Sequence, residues 1–391
     1  MFYATIWTSL SLLLVNLVCE KLDFWEYQSK GDLSAFIPLD LFFVWVVFWA
    51  GAMTYFFKGK YLMLSALLLF WFDILFMPLL AQYDILELKP NWLIGELLLI
   101  LFVFIPSQIW ARISFEQTHL RIRSLFQVLS IGIIYCFLLP LIVNAYFPLN
   151  FTFDKWYQPY LIQIGFIIVL PALIAVYDLA KVGEGTAFPY DPTEKIVRTG
   201  VYAYIRNPIQ WSMTLFFIPL AAFYGSYYLL IGIIVSIAYT IGVSNKQEYD
   251  SMEERFGQEW TQYKSSVPAW YFLWKPNQIP KGTLYFKKNC SYCQQLKKNF
   301  VNQSKINLTF EHAENWQGVP LTQLTYVDEN GQTYSSIKAI AKGMEHLNLL
   351  WASLAWFIRF PGISHFLQLI VDSMNLNDSP SSECAVSSDE K

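Results

Sequence analysis

The chain has 391 residues, of which 55% are hydrophobic and 15% charged, with a formal net charge of -3. A soluble domain carries about 25% charged residues, so a wholly soluble protein is excluded, and the near-neutral balance offers no basic surplus for a nucleic-acid partner. A helix rising about 1.5 Å per residue needs roughly 20 apolar residues to cross about 30 Å of hydrocarbon.

Eight segments of that kind are expected: Phe2 to Cys19, Ile37 to Phe57, Tyr61 to Leu80, Trp92 to Trp110, Leu125 to Phe147, Tyr160 to Tyr177, Ile209 to Phe223 and Tyr227 to Val243. The first has no positive residue before its apolar run and no small-residue cleavage site after it, so it reads as a helix rather than a leader. Only Tyr224 to Ser226 joins the last two, which predicts a tight antiparallel hairpin. Lysine and arginine collect in the loops after the even-numbered segments: Lys58 and Lys60, then Arg112, Arg121 and Arg123, then Lys181, Lys195, Arg198 and Arg206. The loops after the odd segments hold only Lys21, Lys30, Lys89 and Lys155. Positive residues stay on the cytoplasmic side, so both termini are expected to be cytoplasmic.

Between the sixth and seventh segments the chain reads Gly183-Glu-Gly-Thr-Ala-Phe-Pro-Tyr-Asp-Pro192, then Gly200-Val-Tyr-Ala-Tyr-Ile-Arg-Asn-Pro208. The hairpin follows, then Glu248, and then Phe256-Gly257 and Val267-Pro268. In order and spacing this series resembles the membrane methyltransferases that include isoprenylcysteine carboxyl methyltransferase and the phospholipid N-methyltransferases. The resemblance covers roughly Leu125 to Pro276 and implies methyl transfer from S-adenosylmethionine to a lipid or other lipophilic acceptor. It implies a donor site at Gly200, Tyr202, Tyr204, Arg206, Asn207, Pro208 and Glu248, with Gly185, Asp191 and Trp211 toward the acceptor. Where the family commonly has a second Glu after Glu248 this chain has Tyr249, Gln210 and Ser212 replace an aromatic and a Gly, and Ala269 replaces an Arg.

The chemistry of these residues agrees with that reading. A methyl sulfonium is already electrophilic, so the protein mainly aligns donor and acceptor and excludes water. Arg206 offers a fork of donors to a carboxylate, Asn207 is a helix N-cap or a donor ligand, and Pro208 suits a first helical turn. Glu248 can accept from an ammonium or from hydroxyls, and Tyr202 and Tyr204 can flank an adenine or a sulfonium. The plainer alternatives are a positive-inside anchor for Arg206, interfacial aromatics for Tyr202, Tyr204 and Trp211, capping for Asn207-Pro208, and a solvated surface residue for Glu248.

Beyond Lys275-Pro-Asn-Gln-Ile-Pro-Lys-Gly282, which reads as a linker, the composition turns water-soluble. Leu284-Tyr-Phe-Lys-Lys-Asn-Cys-Ser-Tyr-Cys293 is an apolar run feeding a Cys-x-x-Cys at a helix start. The helix dipole with Lys287 and Lys288 favours Cys290 as an attacking thiolate and Cys293 as its resolving partner. A strand-like Leu308-Thr-Phe-Glu311, Pro320 ahead of an alternating strand, and an Asn330-Gly331 turn follow. Leu284 to Asn375 resembles the DCC family of thiol-disulfide oxidoreductases, which implies a thioredoxin-like fold with Pro320 beside the dithiol and a cytosolic thiol reductant as partner. A structural zinc site completed by His312, His346 or His365, or inert thiols, are the alternatives, and no metal is expected. Cys19, Cys136 and Cys384 read as unpaired.

The expected architecture is an all-α polytopic membrane domain followed by a small α/β thioredoxin-like domain. Its parts are transmembrane helices over residues 1–120, a methyltransferase-like core over 121–278, a dithiol domain over 279–375 and a disordered tail over 376–391. Two functions follow from it. One is a membrane methyltransferase with a fused redox domain, in which Arg206, Cys290 and Cys293 carry the chemistry. The other is a membrane-anchored thiol-disulfide oxidoreductase whose methyltransferase-like half is a scaffold.

Overall fold

The computed structural model describes residues 1–28, 37–188, 191–287, 291–317, 321 and 323–373, without the side chains of residues 145, 243–250 and 291–293. They gather into two compact units, Met1–Leu149 and Asn150–Lys391.

The first unit holds five long apolar helices: α1 (Phe2–Lys21), α2 (Leu39–Phe57), α3 (Leu62–Gln82), α4 (Trp92–Phe115) and α5 (Leu120–Asn144). Each has 19 to 25 residues, enough to span a bilayer. Two short strands, β1 (Trp25–Tyr27) and β2 (Leu86–Leu88), pair antiparallel with Tyr27 opposite Leu86. Trp25 lies against Gly95 of α4, where any Cβ would collide with the indole. Leu12, Trp49, Leu69, Met77, Leu99 and Phe104 fill the core. Some polar groups inside it are bonded to one another: Thr8 donates to Ser107 at 2.9 Å, and Asn16 accepts from the Trp25 indole at 3.1 Å and from Tyr27 at 2.9 Å.

The second unit begins with α6 (Gln158–Lys181), the sixth helix long and apolar enough to cross a membrane among the described residues. It packs along α7 (Pro208–Tyr224), where Gly165 admits the ring of Phe216. Gly225, at φ 64°, ends α7, and α8 (Tyr227–Gly242) turns back along it. The expected hairpin is therefore present: Thr214 and Ser236 share a 2.7 Å hydrogen bond, and Gly232 faces Phe217. With 17 residues, α7 covers about 25 Å, short of a hydrocarbon core of about 30 Å. Then comes α9 (Asn245–Ser266), broken at Gly257, whose φ of 52° no helix admits.

The C-terminal part contains a four-stranded sheet of β3 (Gly282–Phe286), β4 (Leu308–His312), β5 (Thr325–Asp328) and β6 (Thr333–Ser335), in the order β4-β3-β5-β6. Strands β3 and β4 run parallel, joined through α10 (Ser291–Val301) as a parallel pair requires; β5 and β6 are antiparallel. The expected turn closes β5 to β6, with Gly331 at φ 77° and the Asp328 carboxylate accepting from the Asn330 and Gln332 amides. One sheet face is covered by α11 (Ile337–Met344), and Leu284, Phe300, Leu308, Tyr326 and Met344 form the core.

After α11 come α12 (Leu349–Arg359), capped by the Asn348 side chain, and α13 (Pro361–Ser373), bent from it by 87°. The stretch expected to be a linker is strapped down instead. Leu273 donates to the Tyr204 carbonyl at 2.9 Å, Asn277 to that of Ala203 at 2.8 Å, and Ile279 is buried. Ala352 and Trp356 of α12 share a core with Leu170, Ile174, Tyr204 and Ile205. The helix α12, expected from the sequence to belong with the dithiol domain, thus packs on α6 and the Gly200 turn as well.

Candidate functional site

The last turn of α6 opens the candidate site. Gly185 donates to the Leu179 carbonyl at 3.2 Å, and the Gly183 carbonyl accepts from Glu194 at 2.7 Å, so the loop folds back over the helix end. A Cβ on Gly185 would collide with the backbone of Pro192 and Thr193, which is why a glycine stands there. Asp191, at the loop's far side, receives the Thr186 amide on its backbone carbonyl at 2.9 Å.

Gly200 starts a short turn, Gly200–Ala203, at φ 62°. A side chain there would meet the Asp178 carboxylate and the Arg359 guanidinium, so both backbone and space require glycine. Tyr202 is buried against Ala175 and Val197, and its carbonyl accepts from the Tyr263 hydroxyl at 2.8 Å. Tyr204 is fully buried: its hydroxyl donates to the Glu345 carbonyl at 2.9 Å and its ring meets the edge of Trp356. That burial makes Tyr204 a packing residue rather than a wall open to an adenine.

Arg206 is tied to the end of α9. Its amide donates to the Pro268 carbonyl at 2.8 Å, its guanidinium donates to the Lys264 carbonyl at 2.6 Å and that of Val267 at 3.3 Å, and Trp260 lies 6.0 Å away. Those carbonyls are the ones a helix end leaves open. Asn207 stands at the N-cap of α7, 4% exposed, with no side-chain capping bond, and Pro208 fills the first turn. Trp211, one turn on, packs edge-on against Phe272 at 4.9 Å. Nearby, Thr199 Oγ1 and Ser212 Oγ are buried without a hydrogen-bond partner among the described residues.

The loop, the turn, the start of α7 and the end of α9 therefore meet in one place, and among the predicted residues Gly185, Asp191, Gly200, Tyr202, Arg206, Asn207, Pro208 and Trp211 line its neighbourhood. The side chain of Glu248 lies outside the described residues, as do Cys290 and Pro320 and the side chain of Cys293. The last of these belongs to the first turn of α10, which begins at Ser291.

Sequence reasoning missed a buried charge ladder beside the site. Arg359 pairs with both Asp178 and Glu345, and Glu345 with Lys342 at 3.0 Å, all four at most 9% exposed. Burial alone would raise the Glu345 carboxyl, but Arg359 and Lys342 outweigh it and hold the group below the usual carboxylate range. The signal was present: Asp178 and Arg359 each interrupt an apolar run, where a lone charge is too costly to stand without a partner.

No curated protein and no solved structure matches the chain. Residues 159–259, which run from the start of α6 through the loop, the turn and the hairpin into α9, match the family model of the phospholipid methyltransferases.

Proposed function

We propose that the protein is an integral membrane methyltransferase that moves a methyl group from S-adenosylmethionine to a lipophilic acceptor. The observation that carries this reading is the family match over residues 159–259, which covers α6 to α9 and the turn between them. The residues present suit the donor. Asn207 is buried at the positive end of α7, and the buried hydroxyls of Thr199 and Ser212 are left for a ligand to satisfy. Arg206 and Asn207 would hold the donor's carboxylate and Glu248 its ammonium or ribose, while Gly185, Asp191 and Trp211 would lie toward the acceptor. Bound there, the donor would supply an electrophilic methyl carbon to a lone pair of the acceptor. The chain's own part is to align the two and exclude water.

Titration calorimetry of the full chain in lipid tests this. Wild type is expected to bind S-adenosylmethionine at micromolar strength, with Arg206→Ala and Glu248→Gln each weakening it by about 2 to 5 kcal/mol, the cost of removing a desolvated charge partner. Absence of donor binding in the wild type would overturn the reading.

The C-terminal sheet would act as a dithiol module served by a cytosolic reductant. The strand order and the helix beginning directly after Cys290 support this. Cys290 is expected to alkylate fast near neutral pH in Cys293→Ser, with the rate lost in Cys290→Ser. Equally slow reaction in both variants would leave no redox role. One observation favours the scaffold alternative: the Arg206 guanidinium already serves two carbonyls at the end of α9, those of Lys264 and Val267.

A further inference from the structure

A cleft of about 200 Å3 opens where α6, β6, α11 and the α12–α13 bend meet, with Arg359 between it and the Gly200 turn. Lys338, Lys342, Arg359, Ser364, His365 and Tyr334 line it. Beside it the Lys181 ammonium lies 3.8 Å over the ring of Tyr334.

The charges at this cleft do not balance. Asp178 and Glu345 are committed to Arg359 and Lys342, whereas Lys181 and Lys338 make no ion pair among the described residues. Two ammonium groups are left over, and the His365 ring and Ser364 hydroxyl stand on the same wall. A surplus of cations in a concave space is a site for an oxyanion. The flanks are apolar: Leu350, Leu354 and Phe357 of α12 and Phe366, Leu369 and Ile370 of α13 are all exposed. An apolar helix pair bent by 87° with a basic pocket in its elbow has the pattern of a headgroup site at the membrane surface. At about 200 Å3 the space admits a phosphoryl group with its first ester atoms, below the roughly 300 Å3 at which pockets for larger ligands begin.

We propose that this cleft binds a phosphoryl oxyanion, supplied by an anionic glycerophospholipid or by free phosphate. The site lies outside the segment that matches the methyltransferases except for the end of α6, and the proposal does not depend on methyl transfer.

Native mass spectrometry of the full chain in detergent tests it, with phosphatidylglycerol, phosphatidylcholine and inorganic phosphate as probes. Retention of phosphatidylglycerol at least tenfold above phosphatidylcholine assigns the lipid source; a phosphate adduct without that preference assigns free phosphate. In either case Lys338→Glu and Lys181→Ala are expected to reduce retention at least tenfold. Lys338 is exposed, so its charge reversal leaves the fold intact, and an unchanged unfolding temperature confirms it. Equal retention by wild type and both variants, or no adduct with any probe, would overturn the proposal.

Discussion

His346 shows how far one side chain can be committed by its surroundings. Its Nδ1 donates to the Ile306 carbonyl at 2.8 Å and its Nε2 accepts from the Tyr326 hydroxyl at 2.8 Å, so the neutral ring is fully used. Burial lowers its pKa to about 4, against the smaller opposing effect of the Ile306 carbonyl. An unfolded chain takes up this proton below about pH 6.5 and the folded chain refuses it until about pH 4. The stability so contributed is complete above pH 6.5 and is lost as the pH falls toward 4, by roughly 3 kcal/mol in all. Glu345 contributes in the same direction but only at lower pH, since its folded pKa lies below the usual carboxylate value. Chemical denaturation between pH 7 and pH 4.5 should therefore show a slope in the wild type that His346→Asn flattens. An unchanged slope would mean that another group dominates. In the sequence His346 was legible only as a spare metal ligand, because its two partners lie 40 and 20 residues away. Gly200 was legible as part of a motif, but the reason for it, a positive φ under a buried ion pair, needs Arg359 in place.

At the scale of elements, periodicity and length were enough to find the apolar helices and the hairpin, since lipid demands continuous apolar runs and a three-residue link allows one geometry. The partner of α12 was not legible. An apolar helix after a sheet suits the sheet's own core as well as any other surface, and the choice is made by Arg359, which meets Asp178 across 181 residues of chain. Removing one member of such a pair strands the other in a dry interior. Arg359→Met is therefore expected to destabilise the second unit by about 3 to 5 kcal/mol, while Asp178→Asn with Arg359→Met recovers a large part of it. Thermal unfolding of the two variants checks this, and equal losses in single and double variants would show that the contact, not the charge balance, matters. Lys342 is expected to keep Glu345 paired in both variants, since that ion pair is 3.0 Å and does not pass through Arg359.

For the whole molecule the open quantity is the parity of its crossings, and it sets the side on which the C-terminal sheet works. The helices α1 to α6 are, by length and composition, six candidate crossings. The short helices α7 and α8 form one closed hairpin and so cross together or not at all, which leaves the parity even. Among the described residues only the pair α12 and α13 can change it. Four physical arguments keep that pair on one side: the 87° bend, the buried Arg359 at its elbow, the packing of α12 on Tyr204 and Ile205, and the polar cleft that opens at the bend. A helix pair bent that sharply has no single axis of about 30 Å along which to span hydrocarbon. With even parity, the lysines and arginines of the loops after α2, α4 and α6 lead to the expectation that both termini are cytoplasmic. A chain in which Cys19, Cys136, Cys290 and Cys293 are changed to Ser retains one thiol, Cys384, in its tail. In intact cells a membrane-impermeant maleimide is expected to leave Cys384 unlabelled and to label it once the membrane is opened. Labelling from outside would overturn this topology: either α12 and α13 together cross, or the whole chain is inverted and both termini lie outside.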